Sequence, residues 1–180
     1  MKKIILFAIA IFSITLAAKA DNATNGANQT AKLALSNAIE IKFYSNYYGG
    51  TQTLTFNNVN DYANGKTSGY QILIIRSNKD YNVTVKANAS NFSYSGSTNP
   101  APVMPISKLN VANFYNGTGG TVANTFNNNY APLSNVDQPL INNGKKGNFR
   151  YFFTRYKATP GFAYPAGTYT AEVIYTATQQ

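Results

Sequence analysis

Beyond the first twenty residues, no stretch keeps an apolar period of 3.6 for three turns, while alternation with a period of two recurs. Side chains on a strand point alternately to opposite faces, so this pattern calls for strands and leaves no amphipathic helix to build with. From Lys32, the residues Leu33, Leu35, Ile39, Ile41 and Phe43 share one face, opposite Lys32, Ser36, Glu40 and Lys42; Asn37 is the single polar interruption. We expect one strand over that whole span and a second at Leu54 and Phe56. The segment that follows is rich in turn residues, punctuated by Asn64-Gly65 and Gly69. Ile72 to Ile75 is a continuous apolar run, as expected of a strand covered on both faces. Tyr81, Val83, Val85, Ala87 and Ala89 alternate again, and Ser77 to Asp80 between them has hairpin-like turn chemistry.

Pro100, Pro102 and Pro105 cannot donate to a ladder, so the middle of the chain reads as an edge or connecting segment. Met104, Ile106, Leu109 and Val111 still suit a core. Thr118 to Asn129 is expected to be a hairpin with Val122 and Phe126 as its buried pair, and Pro132 to Lys146 to be mostly loop with a short element at Leu140-Ile141. Phe149 to Tyr156 and Tyr169 to Thr178 are the last strands. Short strands spaced by turns predict an all-β, antiparallel immunoglobulin-like β-sandwich, with an up-and-down barrel as the alternative.

The N-terminus departs from this pattern. Lys2 and Lys3, the apolar run Ile4 to Ala17 and Ala18-Lys19-Ala20 have the form of a secretory signal, so we expect cleavage before Asp21 and an exported chain in the periplasm, on the outer cell surface or outside the cell. The run is about 14 residues, short of the ~20 that cross a bilayer as a helix, so no membrane anchor is expected to be retained. The expected organisation is a signal peptide over residues 1–20, a flexible leader over 21–31 and one β-sandwich domain over 32–180. Loss of the signal removes Lys2, Lys3 and Lys19, leaving 12 cations against 6 anions.

Composition narrows the chemistry. With no His and no Cys there is no zinc finger, thiol nucleophile, disulfide or His-dependent triad, and no cofactor or metal is expected. Of the 6 acids, Asp21 is at the expected mature terminus, Glu40 and Glu172 fall on the solvent faces of strands, and Asp61, Asp80 and Asp137 fall in turns. A catalytic carboxylate pair would need two of them to converge, and Asp61 and Asp80 are explained by capping their own backbone. The nearest approach to a calcium loop is the oxygen-rich Asn57 to Asp61. We therefore expect no enzyme.

Two aromatic features remain. Lys145 to Lys157 interleaves cations with rings, but alternation puts Arg150, Phe152 and Tyr156 on one face and Phe149, Tyr151, Phe153 and Arg155 on the other. That suits a sandwich strand with a solvated basic edge better than a nucleic-acid platform, and no nucleic-acid partner is expected. Tyr44, Tyr47 and Tyr48 ahead of Gly49-Gly50, with Tyr62 in the next loop, are the candidate glycan contacts; the plainer alternative is half-buried sheet and turn tyrosines.

The stretch from Tyr164-Pro165-Ala166-Gly167 through Tyr169 to Thr176 resembles the final strand of bacterial pilin-like and coat-like β-sandwich proteins. Together with Leu35 to Ile41, the signal and the 25 asparagines, it is similar to small exported proteins of Bacteroidota type. The resemblance implies a non-enzymatic structural protein, a pilin-like, fibre or surface-layer subunit, with an adhesin or carbohydrate-binding module as the alternative. Chaperone–usher pilins complete one another by β-strand addition. By that resemblance Lys32, Leu33 and Leu35 are the candidate donor strand, against the simpler possibility that they open the chain's own sandwich. The paired cysteines and penultimate tyrosine that many such proteins carry are absent here.

Overall fold

The computed structural model describes residues 29–45 and 50–180. The expected signal peptide, the first part of the leader, Tyr47 and Tyr48 lie outside these residues. Leu35–Gln180 forms one compact unit, and of what precedes it residues 29–34 are described as exposed chain without regular structure.

The described chain is an antiparallel β-sandwich. Its strands are β1 (Ile39–Phe43), β2 (Lys66–Thr67), β3 (Gln71–Ser77), β4 (Tyr81–Ala87), β5 (Ser93–Ser95), β6 (Leu109–Asn116), β7 (Thr121–Val122), β8 (Ala131–Pro132), β9 (Gln138–Gly144), β10 (Gly147–Ala158), β11 (Thr168–Thr170) and β12 (Val173–Gln179). One sheet has the order β1-β3-β10-β6-β8, with β2 also on β10; the other runs β12-β4-β9-β7; β11 and β5 make a small two-stranded sheet.

Alternation does what it promises in β4, where Tyr81, Val83, Val85 and Ala87 are buried and the residues between them are half-buried. Leu73, Ile75, Val111, Phe152 and Tyr156 meet them from the larger sheet, and Ile106, Phe126 and Leu133 fill the space between. At ~25 cal/mol per Å² of apolar surface, this burial is the main stabilising force in a chain without disulfides.

The turn at Ser77 to Asp80 joins β3 and β4, but it is not a hairpin, because the two strands lie in different sheets. Ser77 Oγ donates to Lys79 O and accepts from Lys79 N, fixing the arch. Nor is Thr118 to Asn129 a hairpin. Val122 and Phe126 are buried as expected, yet β7 pairs with β9 while Phe126 O accepts from Asn113 N. Around Leu140-Ile141 the expected short element is a seven-residue strand, β9. The expected strand at Leu54 and Phe56 has no ladder. Its side chains alternate between half-buried and exposed, but among the described residues no backbone group from Thr51 to Phe56 is bonded to another. Beyond it, Val59–Asn64 forms a six-residue helix, α1, that the alternation did not indicate. Asn58 caps it by accepting from Asp61 N, and Gly65, at φ +76°, ends it where a Cβ would collide with Ala158 O.

Tyr169 to Thr178 is two strands rather than one. The chain leaves the small sheet after Thr170 and joins the smaller main sheet at Val173, so Glu172 sits in the break rather than in a strand. β10 lies between β3 and β6 in the middle of its sheet, so its cations do not form a basic edge.

Candidate functional site

The expected donor strand is exposed chain. β1 pairs with β3 from Ile39↔Ser77 to Phe43↔Leu73, and β3 turns away at Ser77, so after a last backbone bond from Asn78 N to Ala38 O (3.2 Å) the earlier residues have no strand beside them. Residues 29–38 consequently have no ladder, with Leu33 86% and Leu35 90% exposed. The point of departure is held. Ala38 N donates to Asn78 Oδ1 (2.9 Å), Asn78 Nδ2 donates to Ser36 O (2.8 Å), and Gln179 Nε2 donates to Ala38 O (2.9 Å). β1 and β12 are both edge strands on one flank of the sandwich, linked by that last bond and by a Phe43–Tyr175 ring contact at 6.2 Å. The outer side of β12, seven residues long, has no partner strand among the described residues.

The candidate glycan tyrosines are not brought together as far as they are described. Tyr44 is exposed just after β1, its N–H donating to Ile72 O at 2.8 Å. Tyr62 is in α1, stacked on Phe162 at 5.7 Å and 5.5 Å from Phe56. Tyr62 borders a cavity of about 810 Å³ at one end of the sandwich, with Phe43, Gln71, Tyr156, Tyr164 and Tyr169 among its other walls. Burial, then the neighbouring tyrosines, pushes the Tyr169 phenol up. Lys108 and Glu172 are the charged residues on the wall, and Gln71, 2% exposed, donates to Gly69 O. The cavity is of a size that holds small ligands.

The carboxylates are dispersed. Glu40 pairs with Lys42 and Arg76, Asp137 with Lys86, and Asp61 with Lys66. Asp61 Oδ2 also accepts from Asn57 N, and this backbone bond, reinforced by Lys66, holds its carboxyl below the usual range. The oxygen-rich Asn57 to Asp61 is thus engaged in capping α1. Asp80 does not cap its own backbone. It ties down the turn between β9 and β10, accepting from Lys145 Nζ (2.9 Å) and Lys146 N (3.0 Å), which lowers its pKa.

The alternation expected in β10 is present, and it has a larger consequence than the sequence indicated. Phe152, Thr154 and Tyr156 face the core, whereas Phe149, Tyr151, Phe153 and Arg155 face outward. In β6 a bulge opposite Phe153-Thr154 pairs Asn113 with Thr154 and Tyr115 with Phe153, leaving Phe114 as an extra residue. Strict parity would put Asn113 and Tyr115 on one face. The bulge instead keeps Asn113 buried and brings the Tyr115 ring out beside those of β10. The result is a run of rings with centroids at 5.5 Å (Phe149–Tyr151), 5.8 Å (Tyr151–Phe153), 6.0 Å (Phe153–Tyr70) and 6.0 Å (Tyr70–Phe114), flanked by Tyr115. Tyr115 and Tyr151 are offset-stacked at 5.3 Å and 17°, their hydroxyls 3.3 Å apart, and that bond raises the Tyr151 pKa. Arg155 lies over Tyr70 at 5.0 Å, its guanidinium donating to Ser68 O and Thr67 Oγ1.

No family profile matches the chain, and no curated protein does. Among solved structures, a chain from a chaperone–usher pilus is similar over 88% of this chain and 100% of its own, at 8% identity and a TM-score of 0.38. That likeness is too loose to bear on assembly or function. No helix among the described residues is long and apolar enough to cross a membrane.

Proposed function

We propose that the chain is an exported structural subunit without enzymatic activity, which joins to copies of itself by β-strand addition. The donated strand is Lys32 to Leu35 and the acceptor is the unpaired side of β12. The observation that carries this reading is the pair of leucines, 86% and 90% exposed at alternate positions of a segment without a ladder. Burying each contributes roughly 1.5–3 kcal/mol, against which stands the cost of ordering the segment. The anchor at Ser36 and Ala38 fixes where the segment leaves the sandwich.

The test compares the chain beginning at Asp21 with a Leu33→Asp/Leu35→Asp variant by light scattering after size exclusion and by negative-stain microscopy. We expect linear oligomers from the unmodified chain and a folded monomer from the variant. A monomeric unmodified chain, with hydrogen exchange slow along β12, would sink the reading.

A second reading, an adhesin or carbohydrate-binding module, is favoured by the cavity beside Tyr62. Tyr62→Ala should then weaken binding to a glycan array without altering the oligomeric state.

A further inference from the structure

We propose that the outward face of the larger sheet is a binding platform for a linear, uncharged polysaccharide. This deepens the second reading above, at a surface separate from the Tyr62 cavity. The rings from Phe149 through Tyr151, Phe153 and Tyr70 to Phe114 follow one another at 5.5 to 6.0 Å, a repeating track rather than a single pocket. A repeating track suits a polymer of repeating rings. Phe149 is 49%, Tyr70 46% and Tyr115 45% exposed, and apart from the stacked Tyr115–Tyr151 pair the rings meet one another tilted or edge-on, which leaves part of each exposed ring for the apolar face of a sugar.

The ligand's charge follows from what the face lacks. The charges on this face are largely engaged: Arg155 by Ser68 O, Thr67 Oγ1 and the Tyr70 ring, and Arg76 and Lys42, outward on the neighbouring β3 and β1, by Glu40. A polyanion needs several free cations along its path, and among the described residues of this face that leaves Lys157, two residues past Arg155 on β10. The phenol hydroxyls of Tyr115 and Tyr151 instead supply neutral donors and acceptors at the ring tips. The bulge in β6 is the second, independent sign, because it turns an otherwise inward position outward to widen the track.

The experiment is native electrophoresis of the mature chain through gels containing hydroxyethylcellulose, laminarin, galactomannan or dextran, with sedimentation on cellulose and chitin. We expect retention on at least one neutral polymer. Tyr151→Ala and Phe149→Ala should each weaken it on the order of tenfold, a loss consistent with removing one ring contact. Phe149→Ala keeps the test meaningful should Tyr151→Ala perturb folding, which circular dichroism would reveal. Val136→Ala, 68% exposed and part of neither the rings nor the cavity wall, should leave retention unchanged, whereas retention lost in Tyr62→Ala but kept in Tyr151→Ala would assign binding to the cavity and overturn the proposal. Retention on none of the polymers would overturn it too. So would salt-sensitive binding to oligo(dT) in place of glycan, or a concentration-dependent dimer abolished by Tyr151→Ala.

Discussion

Strand β10 carries two aromatic faces with opposite fates. Phe152 and Tyr156 point inward and are 0% and 8% exposed, while Phe149, Tyr151 and Phe153 on the other parity stay at least partly open to solvent. The residue types are nearly the same, so composition does not separate them. What separates them is which side of the sheet has a second layer. On the inner side the smaller sheet supplies that layer, and the Tyr156 hydroxyl finds Tyr175 at 3.0 Å. On the outer side the rings have one another. The inner face therefore serves stability, and the outer face is available for contact.

That contrast is easiest to break with the largest effect. Phe152→Ala should lose about 3–5 kcal/mol, read as a fall in the urea midpoint, because it leaves a cavity the two sheets cannot close. If Phe153→Ala cost as much, the two faces would not differ. Tyr151→Ala should cost only about 1 kcal/mol, the scale of the stacking with Tyr115 that it removes, and a double-mutant cycle with Tyr115→Phe isolates the hydroxyl bond.

The smallest effect sharpens the inner half of the comparison. The Tyr81 hydroxyl is buried without a hydrogen-bond partner among the described residues, and burial pushes its pKa up to about 12. A phenol raised in the folded state releases its proton sooner when unfolded. Its contribution is therefore complete below about pH 10, the unfolded value, and is lost as pH rises through about 12. Tyr81→Phe should be neutral or stabilising by about 1 kcal/mol at pH 7, since it deletes an unsatisfied polar group. It should also flatten this part of the alkaline unfolding profile. A loss of several kcal/mol at pH 7 would mean that the hydroxyl has a partner.

Much of the sandwich was legible because alternation reports which side chains share a face. It located β4 and β10, and it picked out Val122, Phe126, Met104, Ile106 and Val111 as buried. Alternation does not report whether a partner strand is present. Leu33 and Leu35 continue the pattern of β1 and Leu54 and Phe56 repeat it, yet neither segment has a ladder, because β3 ends at Ser77 and no strand runs beside Thr51 to Phe56. Turn chemistry at Ser77 to Asp80 marked a reversal without saying that the chain changes sheets there. The track of rings was half visible. The period of two gave the β10 rings, but it would have put Phe114 and Tyr115 on opposite faces, and only the bulge alters that.

That bulge also says how such a surface can be gained or lost. Since Phe114 is supernumerary, deleting it would leave Asn113↔Thr154 and Tyr115↔Phe153 as consecutive pairs of a regular ladder, with every other pair of β6 and β10 in its present register. An insertion of one codon at this point adds a ring outside while the interior is untouched. The aromatic face can therefore be edited by single-residue insertions and deletions, a kind of change that strand interiors ordinarily do not tolerate.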